Sequence, residues 1–224
     1  MLSSMRKRMK QAFSLIELLV VVAVILLLAG LLFPVLAKVK EMGRSARCAS
    51  NLRQLQVATL NFVTDHDHFP LSTISWSQHG DGSWWHDQGW VSWYNYPVLG
   101  PYGSPQVGAF DWHGANGLAC VTNGALWGYL STERDVFLCP TFGLKSKCGQ
   151  PDAMRSYSMN SNLSDKVFVD VNITGKASTT ILFGDDRNVT IAPYDVQFGT
   201  NEVGQWHNNS MGNVVCVDGH VERR

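Results

Sequence analysis

The sequence has no surplus of charge of either sign: 18 lysines and arginines stand against 18 aspartates and glutamates. No global field therefore draws it toward nucleic acid. Gly-x-Ser-x-Gly, His-Glu-x-x-His and Walker sequences are all missing, and with them the usual marks of hydrolase, metalloprotease and nucleotide chemistry. Cys-x-x-Cys is missing too, and the histidine spacing does not fit a zinc finger. There are no internal repeats and no Gly-rich phosphate loop. Asp185 and Asp186 adjoin in sequence, which does not define an acid–base pair. No catalytic constellation emerges, and a non-enzymatic role is expected.

What is present begins with an asymmetry hidden in the zero. Residues 1–12 carry Arg6, Lys7, Arg8 and Lys10 and no acid, so removing these four leaves 14 basic against 18 acidic residues. Residues 13–37 are apolar apart from Ser14 and Glu17. About 20 such residues span a bilayer at about 1.5 Å each. A buried core helix would not be apolar all round over this length. A cleaved secretory signal is the better rival, because Val35-Leu36-Ala37 would suit a signal peptidase. Against it, the apolar stretch exceeds the usual 7–15 or so residues and contains a carboxylate. Lys38, Lys40, Arg44 and Arg47 follow the span closely, so the positive-inside rule is near a tie.

Orientation comes instead from Ala12-Phe13-Ser14-Leu15-Ile16-Glu17. A basic leader, a small residue, then Phe-Ser-Leu-Ile-Glu opening an apolar helix resembles the type IV prepilins and type II secretion pseudopilins. That resemblance implies cleavage between Ala12 and Phe13 by a prepilin peptidase on the cytoplasmic side, then N-methylation of Phe13. Ala12 departs from the family's usual Gly. Pro34, the twenty-second residue of the expected mature chain, matches a helix-softening proline of many pilins, and Gly30 would soften the helix further. A carboxylate in hydrocarbon costs on the order of 2–3 kcal/mol without a partner. Cleavage would create one for Glu17 in the amine of Phe13, four residues earlier on the same helix face, or in a neighbouring subunit's amine. The second pairing makes Glu17 an assembly residue.

Beyond the span the helix is expected to continue over residues 38–64. Val39, Met42, Ala46, Ala49, Leu52, Leu55, Ala58 and Phe62 recur at three- and four-residue steps. Asp65-His66-Asp67-His68 then reads as a helix end ahead of Pro70, rather than as a metal site. Residues 71–117 hold eleven glycines and prolines, and Trp76, Trp84, Trp85, Trp90 and Trp93 fall within 18 residues. Such tryptophans either pack a long loop onto the domain or offer a stacking surface for glycans or a protein partner. Val136–Leu138, Lys166–Val171, Thr180–Phe183 and Asn213–Val217 read as strands. Asp218-Gly219 marks a hairpin of the two-residue kind. The fold expected is α+β: a long N-terminal helix against an antiparallel sheet, with residues 65–224 forming the extracytoplasmic domain.

Further blocks narrow the resemblance. Cys48-Ala49-Ser50-Asn51-Leu52-Arg53-Gln54-Leu55, Phe137-Leu138-Cys139-Pro140, Ser156-Tyr157-Ser158-Met159-Asn160 and Ile181-Leu182-Phe183-Gly184-Asp185 resemble the prepilin-type cleavage/methylation proteins that end in an H-x9-DG motif. Here ten residues separate His207 from Asp218-Gly219. The resemblance implies a structural filament subunit, foremost a type II secretion pseudopilin. Its partners would be prepilin peptidase, other pilin or pseudopilin subunits and the secretion-system platform. It would be anchored once in the bacterial inner membrane, with a cytoplasmic N-terminus and a periplasmic C-terminal domain. A membrane-tethered binding module using the Trp-rich loop is the alternative, and a DNA-uptake pilin is disfavoured by the acidic mature chain.

Five cysteines suit an exported protein. Cys139 and Cys148 flank a short loop whose closure would contribute roughly 2–3 kcal/mol. Cys120 and Cys216 could form a second bridge, leaving Cys48 unpaired. No cofactor is required by this reading. Calcium is a candidate at Asp185, Asp186 and Asp218, because major type II pseudopilins commonly hold that ion in a C-terminal loop and these acids lie beside expected strand ends.

Overall fold

The computed structural model describes residues 14–72, 75–78, 84–87, 89–91, 114–130, 133–142, 154–163, 166, 176–185, 197–198, 204, 207 and 211–224. Its longest element is helix α1, Leu15–His66. The chain divides into two compact units, residues 1–40 and 41–224.

In the first unit every large apolar side chain from Leu15 to Val39 is exposed. The segment is long and apolar enough to cross a membrane. Its start is fixed by a reciprocal capping box. The Ser14 N–H donates to Glu17 Oε2 at 2.8 Å, and the Glu17 N–H donates to Ser14 Oγ at 3.2 Å. Pro34 lies inside the helix, so the carbonyl of Gly30, four residues earlier, has no N–H to accept from at that position.

In the second unit the helix buries Ser45, Cys48, Asn51, Leu52, Leu55, Gln56, Ala58, Thr59, Phe62 and Val63. These recur at three- and four-residue steps and so share one face. The expected stripe is right from Leu52 onward and wrong before it. Val39, Met42 and Ala46 are exposed, and the buried face there is polar and small: Ser45, Cys48 and Asn51. Helix α1 ends when Asp67 takes a left-handed conformation, φ 63°, which aspartate tolerates better than most residues. At this corner His66 bonds the Phe62 carbonyl and Asp65 accepts from the Tyr129 hydroxyl.

Strands β1 (Ser75–Gln78) and β2 (Trp84–Asp87) pair antiparallel. Helix α2 covers Gly114–Thr122. The main sheet comprises β3 (Tyr157–Asn160), β4 (Ile181–Asp185), β5 (Gln197–Phe198), β6 (Asn213–Cys216) and β7 (Val221–Arg223), in the order β5-β3-β4-β6-β7. All neighbours are antiparallel except β3 and β5, which run parallel. The α+β expectation holds, with one parallel edge added.

Two expected strand features differ. Val136–Leu138 belongs to a 3-10 turn, Arg134–Phe137, closed by Val136 N–H to the Glu133 carbonyl and Leu138 N–H to the Asp135 carbonyl, both 3.3 Å. The hairpin loop has three residues, Val217-Asp218-Gly219, because Cys216 already pairs with His220. Gly219 sits at φ +91°, the left-handed position such a loop requires. Of the Lys166–Val171 stretch, all but Lys166 lies outside the described residues.

The core lies between α1 and the sheet. Leu52, Leu55 and Phe62 meet Phe137, Tyr157, Met159, Leu182, Phe183, Val215 and Val217, each apolar side chain contributing about 1.5–3 kcal/mol by burial. A bulge between Ile181 and Phe183 lets Leu182 and Phe183 both join this core. Trp90 is fully buried, stacked on Phe137 at 6.1 Å and edge-on to Phe183 at 5.0 Å. For this tryptophan the packing reading holds. Trp93 lies outside the described residues.

Candidate functional site

Among the described residues, two places carry chemistry. The first is the start of α1. Glu17 is held by the capping box just described, so its carboxylate is placed at the helix entrance. Ala12 and Phe13 lie outside the described residues.

The second is buried under α1 and joins four residues that are far apart in sequence. Cys48 comes from the polar stretch of α1, and Cys139 follows the 3-10 turn. Asp185 ends β4, and His207 pairs with Met211 just before β6. Cys48, Cys139 and His207 are 0% exposed and Asp185 is 1% exposed. One donor atom from each lies within 4.8 Å of all the others. Cys48 Sγ stands 3.3 Å from Asp185 Oδ1, and Cys139 Sγ stands 3.3 Å from His207 Nε2. His207 Nε2 is 3.7 Å from Asp185 Oδ2.

Neighbouring groups orient the four. The Asn213 N–H donates to Asp185 Oδ2 at 2.7 Å. His207 Nδ1 meets Glu41 Oε1 at 2.9 Å, and Thr141 Oγ1 donates to the same carboxylate oxygen at 3.2 Å. The Cys139 N–H donates to Ser156 Oγ, and Asn51 Nδ2 donates to the Asp135 and Leu138 carbonyls, which secures this loop against the helix.

The electrostatics follow from burial and proximity. Burial, aided by the neighbouring Cys139 and Asp185, raises the Cys48 thiol. Cys139 is pulled down to about 5, first by its hydrogen bond with Cys48 and then by His207, against the opposing effect of burial. Burial pushes Asp185 up to about 8. Burial alone would lower His207, but Cys139, Glu41 and Asp185 together raise it. The cluster thus favours a thiolate on Cys139 beside a polarised imidazole.

The other candidates fall differently. Cys120, on α2, belongs to the main core, whereas Cys216 belongs to a small cluster with Ile181 and Val214. Along β6 these residues alternate with Val215, so Cys216 takes the opposite face. The expected Cys120–Cys216 bridge is not formed. Cys148 and Asp186 lie outside the described residues. Cys139 faces Cys48 and His207. The β4–β6 register pairs Gly184 with Val214 and Ile181 with Cys216. Asp185 and Asp218 therefore sit at opposite ends of that ladder and do not share a cation. Asp218 instead accepts from the His220 N–H and pairs with His220 Nδ1 at 2.6 Å.

Sequence reasoning grouped His207 with Asp218-Gly219 but missed its convergence with Cys48, Cys139 and Asp185. No local spacing announces a site assembled from four elements. The one available signal was the run of small polar residues on the inner face of α1.

Comparison with known families fits this architecture. Residues 7–33 match the prokaryotic N-terminal methylation motif. Residues 37–219 match the family described as protein of unknown function (DUF1559). No curated protein and no solved structure matches. The motif implies processing by prepilin peptidase and assembly with other pilin subunits. With the second match covering more than half of its length behind the methylation motif, the chain belongs to the DUF1559 family and is a pilin-like prepilin.

Proposed function

We propose that the protein is a structural subunit of a pilus-like filament, of the type II secretion pseudopilin class. The observation that carries the reading is the methylation motif at residues 7–33, which opens a helix whose apolar side chains are exposed all round. Cleavage falls between Ala12 and Phe13, Phe13 receives the methyl group, and the helix then anchors the chain once in the inner membrane. The domain of residues 41–224 faces away from the cytoplasm. The role is architectural. The binding-module alternative loses one of its tryptophans, because Trp90 is a core residue.

The test is the N-terminal residue and intact mass of protein purified from membranes of its native host. N-methylated Phe13 is expected, and Ala12→Glu should accumulate a slower-migrating precursor. An N-terminus at Lys38 would overturn the reading in favour of a secretory signal. The secretion assignment has its own readout. Deleting the gene should retain folded cargo in the periplasm, whereas loss of surface pili with normal secretion would assign the subunit to a pilus machine.

A further inference from the structure

We propose that Cys48, Cys139, Asp185 and His207 form a binding site for one divalent cation of the zinc class, with Glu41 as the outer partner that orients the histidine.

The geometry is that of a small tetrahedral cage. Zinc bonds of about 2.3 Å to sulfur and about 2.0–2.2 Å to nitrogen or oxygen set neighbouring ligand atoms roughly 3.3–3.8 Å apart. Cys139 Sγ to His207 Nε2 at 3.3 Å, Cys48 Sγ to Asp185 Oδ2 at 3.6 Å and His207 Nε2 to the same Oδ2 at 3.7 Å fall in that range, and no ligand pair exceeds 4.8 Å. Two of the ligands are also oriented by outer partners. His207 Nδ1 is engaged by Glu41 at 2.9 Å, leaving Nε2 facing the cluster. A carboxylate behind a histidine is the usual arrangement around a metal-bound imidazole. Asp185 is held by the Asn213 N–H on Oδ2, the oxygen that lies near both Cys48 and His207.

The donor set selects the ion. Two sulfurs and an imidazole are soft or borderline ligands, suited to zinc and poorly suited to calcium or magnesium. On binding, two metal–sulfur bonds form, one in place of the Cys48 S–H bond and one with the Cys139 thiolate. The Cys48 proton, and any proton held by Asp185, passes to solvent, and no electron is transferred. Two thiolates and a carboxylate against a doubly charged ion leave one net negative charge, far less than the same anions buried alone.

The consequence is structural. The four ligands come from α1, the loop after the 3-10 turn, the end of β4 and the approach to β6. One ion would tie the helix to both the middle and the C-terminal part of the domain, so its binding energy becomes folding energy. The site does not depend on the filament assignment.

The test uses the full chain in detergent micelles, reduced and stripped with chelator, then dialysed against zinc or cobalt(II). One zinc per chain is expected. Cobalt should give the visible bands of a tetrahedral site together with thiolate-to-cobalt charge transfer. The melting temperature should rise with metal and fall again with chelator. Cys48→Ser and His207→Ala should abolish the cobalt spectrum, while Cys216→Ser should keep it. Because the first two variants could unfold, the wild-type spectrum and stoichiometry stand as an independent measure. A folded, reduced wild type that takes up no cobalt overturns the site. So does a native sample lighter by two hydrogens with a mapped Cys48–Cys139 disulfide, or full uptake by folded Cys48→Ser.

Discussion

Glu41 and His207 lie 166 positions apart in sequence, yet Oε1 of one stands 2.9 Å from Nδ1 of the other. The histidine ring is buried, and the carboxylate reaches it from one turn beyond the end of the apolar segment. The contact couples the base of the helix to the C-terminal part of the fold.

Glu41→Gln should keep a hydrogen-bond acceptor for the ring but lose the charge. If the cluster holds zinc, affinity should fall about 10–100-fold with the cobalt spectrum preserved in shape. Competition with a chelator of known affinity measures the change. An unchanged affinity would make Glu41 a surface residue that merely packs nearby.

Glu17 combines two roles that substitution can separate. Glutamine serves as well as glutamate in a capping box but cannot pair with an amine as an ion. Glu17→Leu and Glu17→Gln should both insert, be processed and fold, and both should fail to enter filaments in a membrane crosslinking assay. Assembly by the glutamine variant would reduce the residue to a cap.

Gly124 is held against another segment's backbone. A Cβ there would overlap the Trp90 carbonyl oxygen and come within 2.6 Å of Val91 Cα. Neither atom can rotate away, so Gly124→Ala should cost about 1–3 kcal/mol and displace Trp90 from its stack on Phe137. Gly128 has nothing within 4 Å of such a Cβ, and Gly128→Ala should be near neutral in the same thermal melts.

Alkaline conditions should weaken the reduced, metal-free protein. Burial raises Cys48 and lifts Cys216 to about 11 from the ordinary 9.0. A raised group contributes fully below its unfolded value and loses that contribution as pH rises above it. Cys139 and Asp185, at about 5 and about 8, are already ionised in this window and add no slope. Two thiols then predict a decline approaching about 2–3 kcal/mol per pH unit between pH 9 and pH 10, and the buried Tyr157 hydroxyl, also raised by burial, adds to it above pH 10. Urea titrations at stepped pH would show it, and Cys216→Ser should halve the slope between pH 9 and pH 10.

Legibility in the sequence tracks how local the physics is. The apolar span and the strand-like runs at Thr180–Phe183 and Asn213–Val217 depend on neighbours in sequence, so the long helix and two central strands could be read directly. The stripe on α1 was read correctly where Leu52, Leu55 and Phe62 fill it. It was misread where Ser45, Cys48 and Asn51 do, because a hydrophobic pattern is blind to a buried polar face. The Cys120–Cys216 pairing failed for a related reason. Exported context says that thiols tend to pair, but only the strand register shows that Cys216 faces away from Cys120. Likewise Asp185 and Asp218 both sit at strand ends, and only the ladder shows that the ends are opposite ones.

Filament subunits work at very high local concentration, a setting in which open strands tend to add to one another. Here one edge of the main sheet is β5, a strand of two residues, and the other is β7, a strand of three. Two residues of β7 are Glu222 and Arg223, and Glu222 is clasped by Arg224 at 2.7 Å. Short, charged edges of this kind are poor templates for a further strand. Crowded copies can therefore stand side by side without fusing into a continuous β-ribbon.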